Sequence, residues 1–327
     1  MMKLRTEIPS TKSDFDIDHF GPILLLGSCF AENIGKKMDA NKFKTLINPL
    51  GISYNPVSLS QLILREEVFN VGEFGFSNEL YFNYKLHSEF SAIELDTAIK
   101  NANTALYKQH DFLKTCKVVF ISLGTAWVHE LTSSRQLVNN CHKQEAALFH
   151  KRLLAIDEIT IALSNAIKHI NSKTRHQVQI VFTVSPIRHL KDGFHENQLS
   201  KSTLQMAVNE VCKAHENCTY FPSYEILIDD LRDYRFYEAD MVHPNKLAIE
   251  YIWEKLAEVY FSEKTKKLNK LIQGFNASIA HRPFNLETTK HQDFIKNMIQ
   301  HISLFQEKEK IDFNLELIEL KSKLLSQ

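Results

Sequence analysis

Short apolar runs recur along the first two thirds of the chain, and each is followed by small or turn-forming residues. Three of them stand at residues 23–26, 118–121 and 178–184. The first two runs are wholly apolar and the third is mostly apolar, and short runs of this kind are typical of a strand that is buried on both faces of a parallel sheet. The pattern therefore predicts at least three parallel strands.

Helical periodicity fills the stretches between and after these strands. Residues 31–38 can form a helix directly after the first strand, and further helical patterns cover residues 199–213 and 247–260. Between the second and third strands, apolar residues recur at helical spacing, which predicts a βαβ unit: Leu153, Ile156, Ile159, Leu163, Ile167 and Ile170. We therefore expect an α/β fold whose parallel sheet has helices on both faces.

The C-terminal part has a different character. No glycine follows Gly274, and charged residues surround two apolar sets at helical spacing, which predict two helices: Phe294, Met298, Ile302 and Phe305, then Phe313, Leu317, Leu320 and Leu324. Residues 66–94, with several aromatics and no clear period, predict an insertion that holds a short hairpin. We expect a main domain over residues 1–274 and a C-terminal helical extension over residues 275–327.

Composition narrows the range of partners. The hydrophobic fraction of 44% and the charged fraction of 24% are ordinary for a globular protein of 327 residues. Lysine plus arginine and aspartate plus glutamate each number 39, so the formal charge is zero. A neutral chain has no general attraction for nucleic acid or for acidic lipid surfaces, which favours a small or neutral substrate.

The cysteines and the N-terminal residues indicate the cellular compartment. Neither a signal-peptide stretch at the N-terminus nor a run of about 20 apolar residues is present in the sequence. The five cysteines are scattered and lack the close spacing of zinc sites, which favours reduced thiols: Cys29, Cys116, Cys141, Cys212 and Cys218. We expect a cytoplasmic protein with no membrane partner.

A serine follows the first predicted strand, where ligands bind in open parallel sheets. Ser28 stands between Gly27 and the predicted helix, so backbone N–H groups and the helix dipole would favour an oxyanion beside it. The alternative is a simple N-cap serine.

A second pair of residues supports the nucleophile interpretation. Asp240 precedes His243 by three residues, which lets a carboxylate hold one imidazole nitrogen while the other faces a distant serine. The alternative is an exposed aspartate and a histidine at a helix start. The pair lies near the end of the α/β part, before its last long helix.

These two motifs resemble a known family. Residues 27–32, with the sequence GSCFAE, look like the signature of the GSCFA family within the SGNH hydrolase superfamily, and Asp240 with His243 resembles the superfamily's Asp-x-x-His block. The resemblance implies a flavodoxin-like three-layer α/β/α fold. It also implies that Ser28 attacks an ester carbonyl, that His243 takes its proton and that Asp240 orients His243.

The superfamily's other two blocks supply oxyanion donors. Gly51 best matches the glycine whose N–H belongs to the second block. The third block normally reads Gly-x-Asn, but here Gly124 is followed by Thr125 and Ala126, and alanine has no side-chain donor. We expect Asn140, an amide in a polar loop after that strand, to replace the missing asparagine.

Further residues are candidates for binding a substrate or a metal ion. Arg188 follows the third predicted strand, where it would bind a substrate carboxylate or phosphate, or else lie at the surface. A zinc site is the alternative for a set of thiols and imidazoles whose spacing matches no familiar zinc pattern: Cys29, Cys141, His142, His87, His129 and His189. We therefore assign no metal and no cofactor.

Three functions remain open at this point. The first is hydrolysis or acyl transfer on a carboxylic ester through an acyl-serine intermediate, on an acylated carbohydrate as in many relatives of the superfamily. The second is a non-catalytic binding module that keeps the fold, as Ala126 suggests. The third is a phosphate-ester or metal-assisted hydrolase.

Overall fold

The computed structural model describes residues 6–281 and 288–324. Its strands are β1 (Ile23–Gly27), β2 (Thr45–Ile47), β3 (Gly75–Ser77), β4 (Leu80–Phe82), β5 (Val118–Leu123), β6 (Trp127–Leu131), β7 (Leu137–Val138), β8 (Phe149–Leu153), β9 (Gln179–Val184) and β10 (Cys218–Tyr220). Its helices are α1 (Cys29–Ala40), α2 (Pro56–Leu64), α3 (Leu95–Leu113), α4 (Ile156–Lys173), α5 (Phe194–Ala214), α6 (Ser223–Glu225), α7 (Lys246–Tyr260), α8 (Glu263–Ala280), α9 (Thr289–Glu309) and α10 (Asn314–Ser322).

A five-stranded parallel sheet forms the centre of the molecule. Its order is β10-β9-β5-β1-β2, and every neighbouring pair is parallel. The chain moves from β1 to β2 on one side and returns to β5 on the other, so the order reverses beside β1. Such a reversal leaves a crevice beyond the carboxyl ends of the two strands, where ligands bind in folds of this type.

Helices cover both faces of the sheet, as the sequence predicts. Side chains of one face, such as Leu24 and Ile121, pack with α2, α4 and α5. Side chains of the other face, such as Leu25 and Phe120, pack with α1 and α7. The expected three-layer α/β/α architecture and the βαβ unit through β5, α4 and β9 are confirmed.

Two features outside the central sheet extend the predictions. The hairpin expected within residues 66–94 is present as β3 and β4. A second small sheet, in the order β7-β6-β8, lies between β5 and α4 and was not predicted. Its strands are short and partly exposed, and β8 carries three successive polar residues, His150, Lys151 and Arg152, so no apolar period marks it.

The C-terminal helices pack around their own apolar cluster. The two predicted helices are present as α9 and α10. Leu268 and Ile272 of α8 also contribute to the cluster, so this unit has three helices. The predicted boundary between residues 274 and 275 lies inside α8.

Candidate functional site

Ser28 lies at the carboxyl end of β1, in the turn that leads into α1. Gly27 has a φ of +114°, and a Cβ atom there would lie 2.1 Å from the carbonyl oxygen of Ser122, so only glycine fits. Ser28 then caps α1, because its Oγ accepts a hydrogen bond from the N–H of Phe30 at 3.3 Å. The capping role that the sequence allowed is thus real, and it places the hydroxyl at the helix N-terminus.

A second serine holds this hydroxyl in place. The Oγ atoms of Ser28 and Ser122 are 2.8 Å apart, and each residue is 1% exposed. Ser122 belongs to β5, where it pairs with Gly27 in the parallel register. The two hydroxyls therefore meet where the strand order reverses, at the position expected for a ligand site.

The N-terminus of α1 offers a free donor next to Ser28. Cys29 is the first residue of the helix, and in the part of the chain that the structure describes its backbone N–H donates to no acceptor. The N–H groups of a first helical turn carry the positive end of the helix dipole. An oxygen that becomes negative beside Ser28 would find this N–H.

Asp240 and His243 form a tight pair. Nδ1 of His243 lies 2.6 Å from one carboxylate oxygen of Asp240. The other oxygen accepts the backbone N–H groups of His243 at 3.0 Å and of Val242 at 2.9 Å. The bonds from His243 and then that from Val242 lower the pKa of Asp240 to about 2, so the carboxylate stays ionised and keeps the proton of the imidazole on Nδ1.

The loop that carries this pair is fastened to the end of β9. The backbone N–H of Arg188 donates to the carbonyl of Val242 at 3.2 Å, and its guanidinium donates to the carbonyl of Met241. The guanidinium also lies 4.5 Å from the ring centre of Tyr237. Arg188 therefore positions the Asp240–His243 loop, a role that the sequence analysis did not assign to it.

A crevice of about 770 Å³ opens over the carboxyl ends of β1, β5 and β9. Five of the predicted site residues line it: Ser28, Asn140, Arg188, Asp240 and His243. The resting hydroxyl of Ser28 bonds to Ser122, and no hydrogen bond joins it to His243 within residues 6–281 and 288–324. Catalytic hydrogen bonds are often loose before a substrate binds, so the shared crevice is the informative observation.

Sequence comparison places the chain in a family. The model of the GSCFA family matches residues 22–256, which is most of the chain and includes every residue of the serine and histidine motifs. The chain belongs to the GSCFA family. A second model, of the GSCFA domain protein C-terminal domain, matches residues 272–326. No curated protein matches the sequence.

In this GSCFA chain, two predicted oxyanion donors are already engaged. The N–H of Gly51 donates to the carbonyl of Asn48 at 2.8 Å, and that of Gly124 donates to the carbonyl of Tyr54 at 2.8 Å. Neither glycine lines the crevice. The structure therefore does not bring Gly51 and Gly124 to the site, and their N–H groups are used by a local turn at Asn48 and by a long-range bond to Tyr54.

Asn140 does reach the crevice of the GSCFA chain. Its Oδ1 accepts the backbone N–H of His142 at 2.8 Å, which leaves the amide nitrogen without a partner among the described residues. Neighbouring Asn139 also lines the crevice, but its amide donates to Ile52 and accepts from Ser53. Of the two residues, only Asn140 has an amide nitrogen that makes no hydrogen bond among the described residues.

Several crevice residues of the GSCFA chain escaped the sequence analysis. Tyr54 and Trp127 add aromatic surface, and Lys151 lies 5.0 Å from the Trp127 ring centre. Tyr54 and Trp127 come from a loop and from the second small sheet, and no pattern in the sequence marks either as part of the site.

Two further observations concern metals and membranes. The described residues contain no group of three or more His, Cys, Asp or Glu side chains that could hold a metal ion. Over the same residues, no helix combines the length and apolar character that crossing a membrane requires.

Proposed function

We propose that this GSCFA protein is a serine hydrolase or acyltransferase of the SGNH type that acts on a carboxylic ester. The observation that carries the proposal is the shared crevice, which holds a serine at a helix N-terminus and an Asp–His pair whose free imidazole nitrogen is available. Either feature alone is common in proteins. Their convergence from opposite ends of the α/β domain is the arrangement that acyl transfer needs.

The proposed chemistry has two steps. Oγ of Ser28 attacks the ester carbonyl while Nε2 of His243 takes the hydroxyl proton, and Asp240 stabilises the imidazolium that forms. The tetrahedral intermediate collapses, the C–O bond to the alcohol breaks and His243 returns the proton to the departing oxygen. Water or an acceptor alcohol, deprotonated by the same imidazole, then releases the acyl group from Ser28.

Two donors are available for the negative oxygen of the intermediate. The backbone N–H of Cys29 lies in the first turn of α1, directly after the nucleophile. The amide nitrogen of Asn140 lines the same crevice and is not otherwise used among the described residues. Together they would take the place of the donors that Gly51 and Ala126 do not provide.

The crevice lining bears on the substrate. Tyr54 and Trp127 supply aromatic surface, and asparagine and histidine side chains supply polar contacts between them. Such a mixture suits a small ester with hydroxyl groups, such as an acylated carbohydrate. All five cysteines are free thiols, which accords with a cytoplasmic location.

A fluorophosphonate probe tests the proposal, because it reacts with activated serine hydroxyls. We expect an adduct on Ser28 in the parent protein and no adduct in Ser28→Ala, which should also lose all ester turnover. The folded state should lose about 1 kcal/mol with the capping bond, and a further loss of about 1 to 3 kcal/mol is expected because the buried hydroxyl of Ser122 loses its partner. The matched control is Ser122→Ala, which removes the neighbouring hydroxyl and should still be labelled at Ser28.

The second candidate is a binding module that keeps the fold without catalysis. Ala126 and the engaged N–H of Gly51 favour it, since neither residue supplies the oxyanion donor that its block provides in the superfamily. A parent protein that binds esters but gives no Ser28 adduct and no turnover would select this function over the hydrolase.

A further inference from the structure

His189 is a crevice residue to which the proposed chemistry gives no role. It follows β9, lines the crevice and packs in a T-shaped arrangement with Tyr54, with 5.8 Å between the ring centres. Its backbone N–H donates to the side-chain oxygen of Asn197 at 2.9 Å. The residue is therefore held in place from α5.

The imidazole of His189 has an unused polar atom. Its Nε2 is buried, and no group in the described part of the chain hydrogen-bonds to it. A buried polar atom without a partner destabilises the folded state, so native proteins rarely keep one without a reason. Arg188 is the other crevice residue with such an atom, but its guanidinium already binds the Met241 carbonyl.

The surroundings keep this imidazole uncharged. Burial lowers the pKa of His189 to about 4, and electrostatic interactions with Lys201, His243 and Lys151 act in the same direction. Asp192 acts in the opposite direction, but it forms an ion pair with Lys151. At neutral pH the ring therefore carries one N–H and one lone pair, and it can share a hydrogen bond with a neutral oxygen.

We propose that His189 is a substrate-binding residue whose Nε2 hydrogen-bonds an oxygen atom of the bound ester. The inference rests on the proposed acyl-serine chemistry and adds a contact to it. An ester that carries hydroxyl groups offers several such oxygens, and binding one of them would satisfy the buried nitrogen. A charged substrate group is not required, because the imidazole itself is neutral.

The first test compares two substitutions on an ester that the parent cleaves. His189→Phe keeps a planar ring and removes the hydrogen bond, so kcat/KM should fall about tenfold to a hundredfold. His189→Gln keeps a neutral donor and acceptor and should recover most of that loss. The exposed His176→Phe is the matched control and should retain the parent's kcat/KM. A His189→Phe variant within about threefold of the parent overturns the proposal, and so does a loss that His189→Gln does not recover.

The second test measures the protonation state and the surroundings of the His189 ring by NMR. In long-range ¹H–¹⁵N spectra, with the His189 signals identified by their loss in His189→Gln, the ring should remain neutral from about pH 5 to 8. The Nε2 resonance should move when Ser28 is labelled with a fluorophosphonate that bears a hydroxylated alkyl chain, because fluoride leaves and this chain stays on the phosphorus atom bound to Ser28. An unmoved resonance, with the adduct confirmed, contradicts the substrate contact. A parent that forms no Ser28 adduct instead refutes the proposed function, so the two failures are distinguishable.

Discussion

At the scale of single residues, Asp240 shows how local bonds set a chemical role. Its two oxygens accept three bonds from the segment that ends at His243, and its pKa falls from 3.8 to about 2. A carboxylate with a lowered pKa is fully ionised above its ordinary value and loses its charge only as the pH falls toward the lowered one. Any loss of activity above about pH 4 must therefore come from another group.

Replacing this carboxylate should impair turnover. In Asp240→Asn the amide cannot stabilise an imidazolium and favours the wrong tautomer of His243; serine proteases lose about 10⁴ in kcat on the equivalent change, which sets the upper bound. The measurement is kcat on an ester that the parent cleaves. Asp229→Asn removes an exposed carboxylate that does not line the crevice and should keep the parent's kcat. Parental turnover in Asp240→Asn would remove Asp240 from the mechanism.

Asn140 makes a separate prediction about the transition state. If its amide supports the oxyanion, Asn140→Ala should lower kcat by about 10² to 10³ with little change in KM, because the bond forms only as charge develops. Steady-state kinetics separate the two constants. Asn209→Ala, an exposed asparagine on α5, serves as the control. A rise in KM with unchanged kcat would show that Asn140 binds the ground state instead.

At the scale of elements, α5 joins the ends of two strands through a buried lysine. Nζ of Lys201 donates to the carbonyls of Gly124 at 2.7 Å and of Ser185 at 2.8 Å, just beyond β5 and β9. The residue is 1% exposed, and burial lowers its pKa from 10.5 to about 7. The preceding Ser200 accepts the N–H of Ala126 at 2.7 Å, so one helical turn fixes the floor of the crevice.

This lysine should make stability depend on pH. Between about pH 7 and 10.5 the unfolded chain binds a proton at Lys201 that the folded protein does not, so stability rises with pH across this window. The unfolding free energy of the parent minus that of Lys201→Met should therefore increase with pH, by at most about 1.4 kcal/mol per pH unit. Urea unfolding of both proteins from pH 6.5 to 10 measures it. A difference that stays constant with pH would mean that Lys201 keeps its ordinary pKa.

The elements also show what the sequence reveals and what it hides. The strands β1, β5 and β9 are buried on both faces, so their apolar runs stand out, and Ser28 is found at once because it follows such a run. The strands of the second small sheet are half exposed and mixed in polarity, so they show no period.

The oxyanion donors were hidden for a different reason. Whether Gly51 has a free N–H depends on the turn that Asn48 forms with it, and a motif match does not report that bond. The lowered pKa of His189 depends first on its burial and then on Lys201 of α5 and Lys151 of the second small sheet, and the sequence does not show that these groups come together. The hydrogen-bond partner of the Gly51 N–H and the surroundings of the His189 ring are set by the folded structure, so a sequence motif does not report them.

At the scale of the whole molecule, the C-terminal helices attach to the end of α1 that is remote from Ser28. Asn276 donates to the carbonyl of Ala40 at 2.6 Å, and Gln273 donates to the side chain of Asn41 at 3.1 Å. Lys42 forms an ion pair with Glu316 of α10. The C-terminal unit therefore contacts the C-terminal end of α1, and Ser28 caps the opposite end of the same helix.

Substitutions in the apolar cluster of this unit should lower stability without changing the reactivity of Ser28. Phe313 is 0% exposed and packs edge-on against Phe275 and Phe305, so Phe313→Ala should cost about 3 to 5 kcal/mol. Leu315→Ala, at a residue that is 78% exposed, should change stability by less than about 0.5 kcal/mol. Chemical unfolding gives both values. Fluorophosphonate labelling at Ser28 should persist in folded Phe313→Ala, and its loss would show that the unit controls the crevice.

The assembly of the crevice from distant segments has a consequence for synthesis on the ribosome. Ser28 is made more than two hundred residues before Asp240 and His243. At about 5 to 20 residues per second the interval is on the order of ten to forty seconds. Under the proposed chemistry, the emerging polypeptide carries its nucleophile throughout that time without a base, so it remains inert toward cellular esters until translation of the α/β domain is nearly complete.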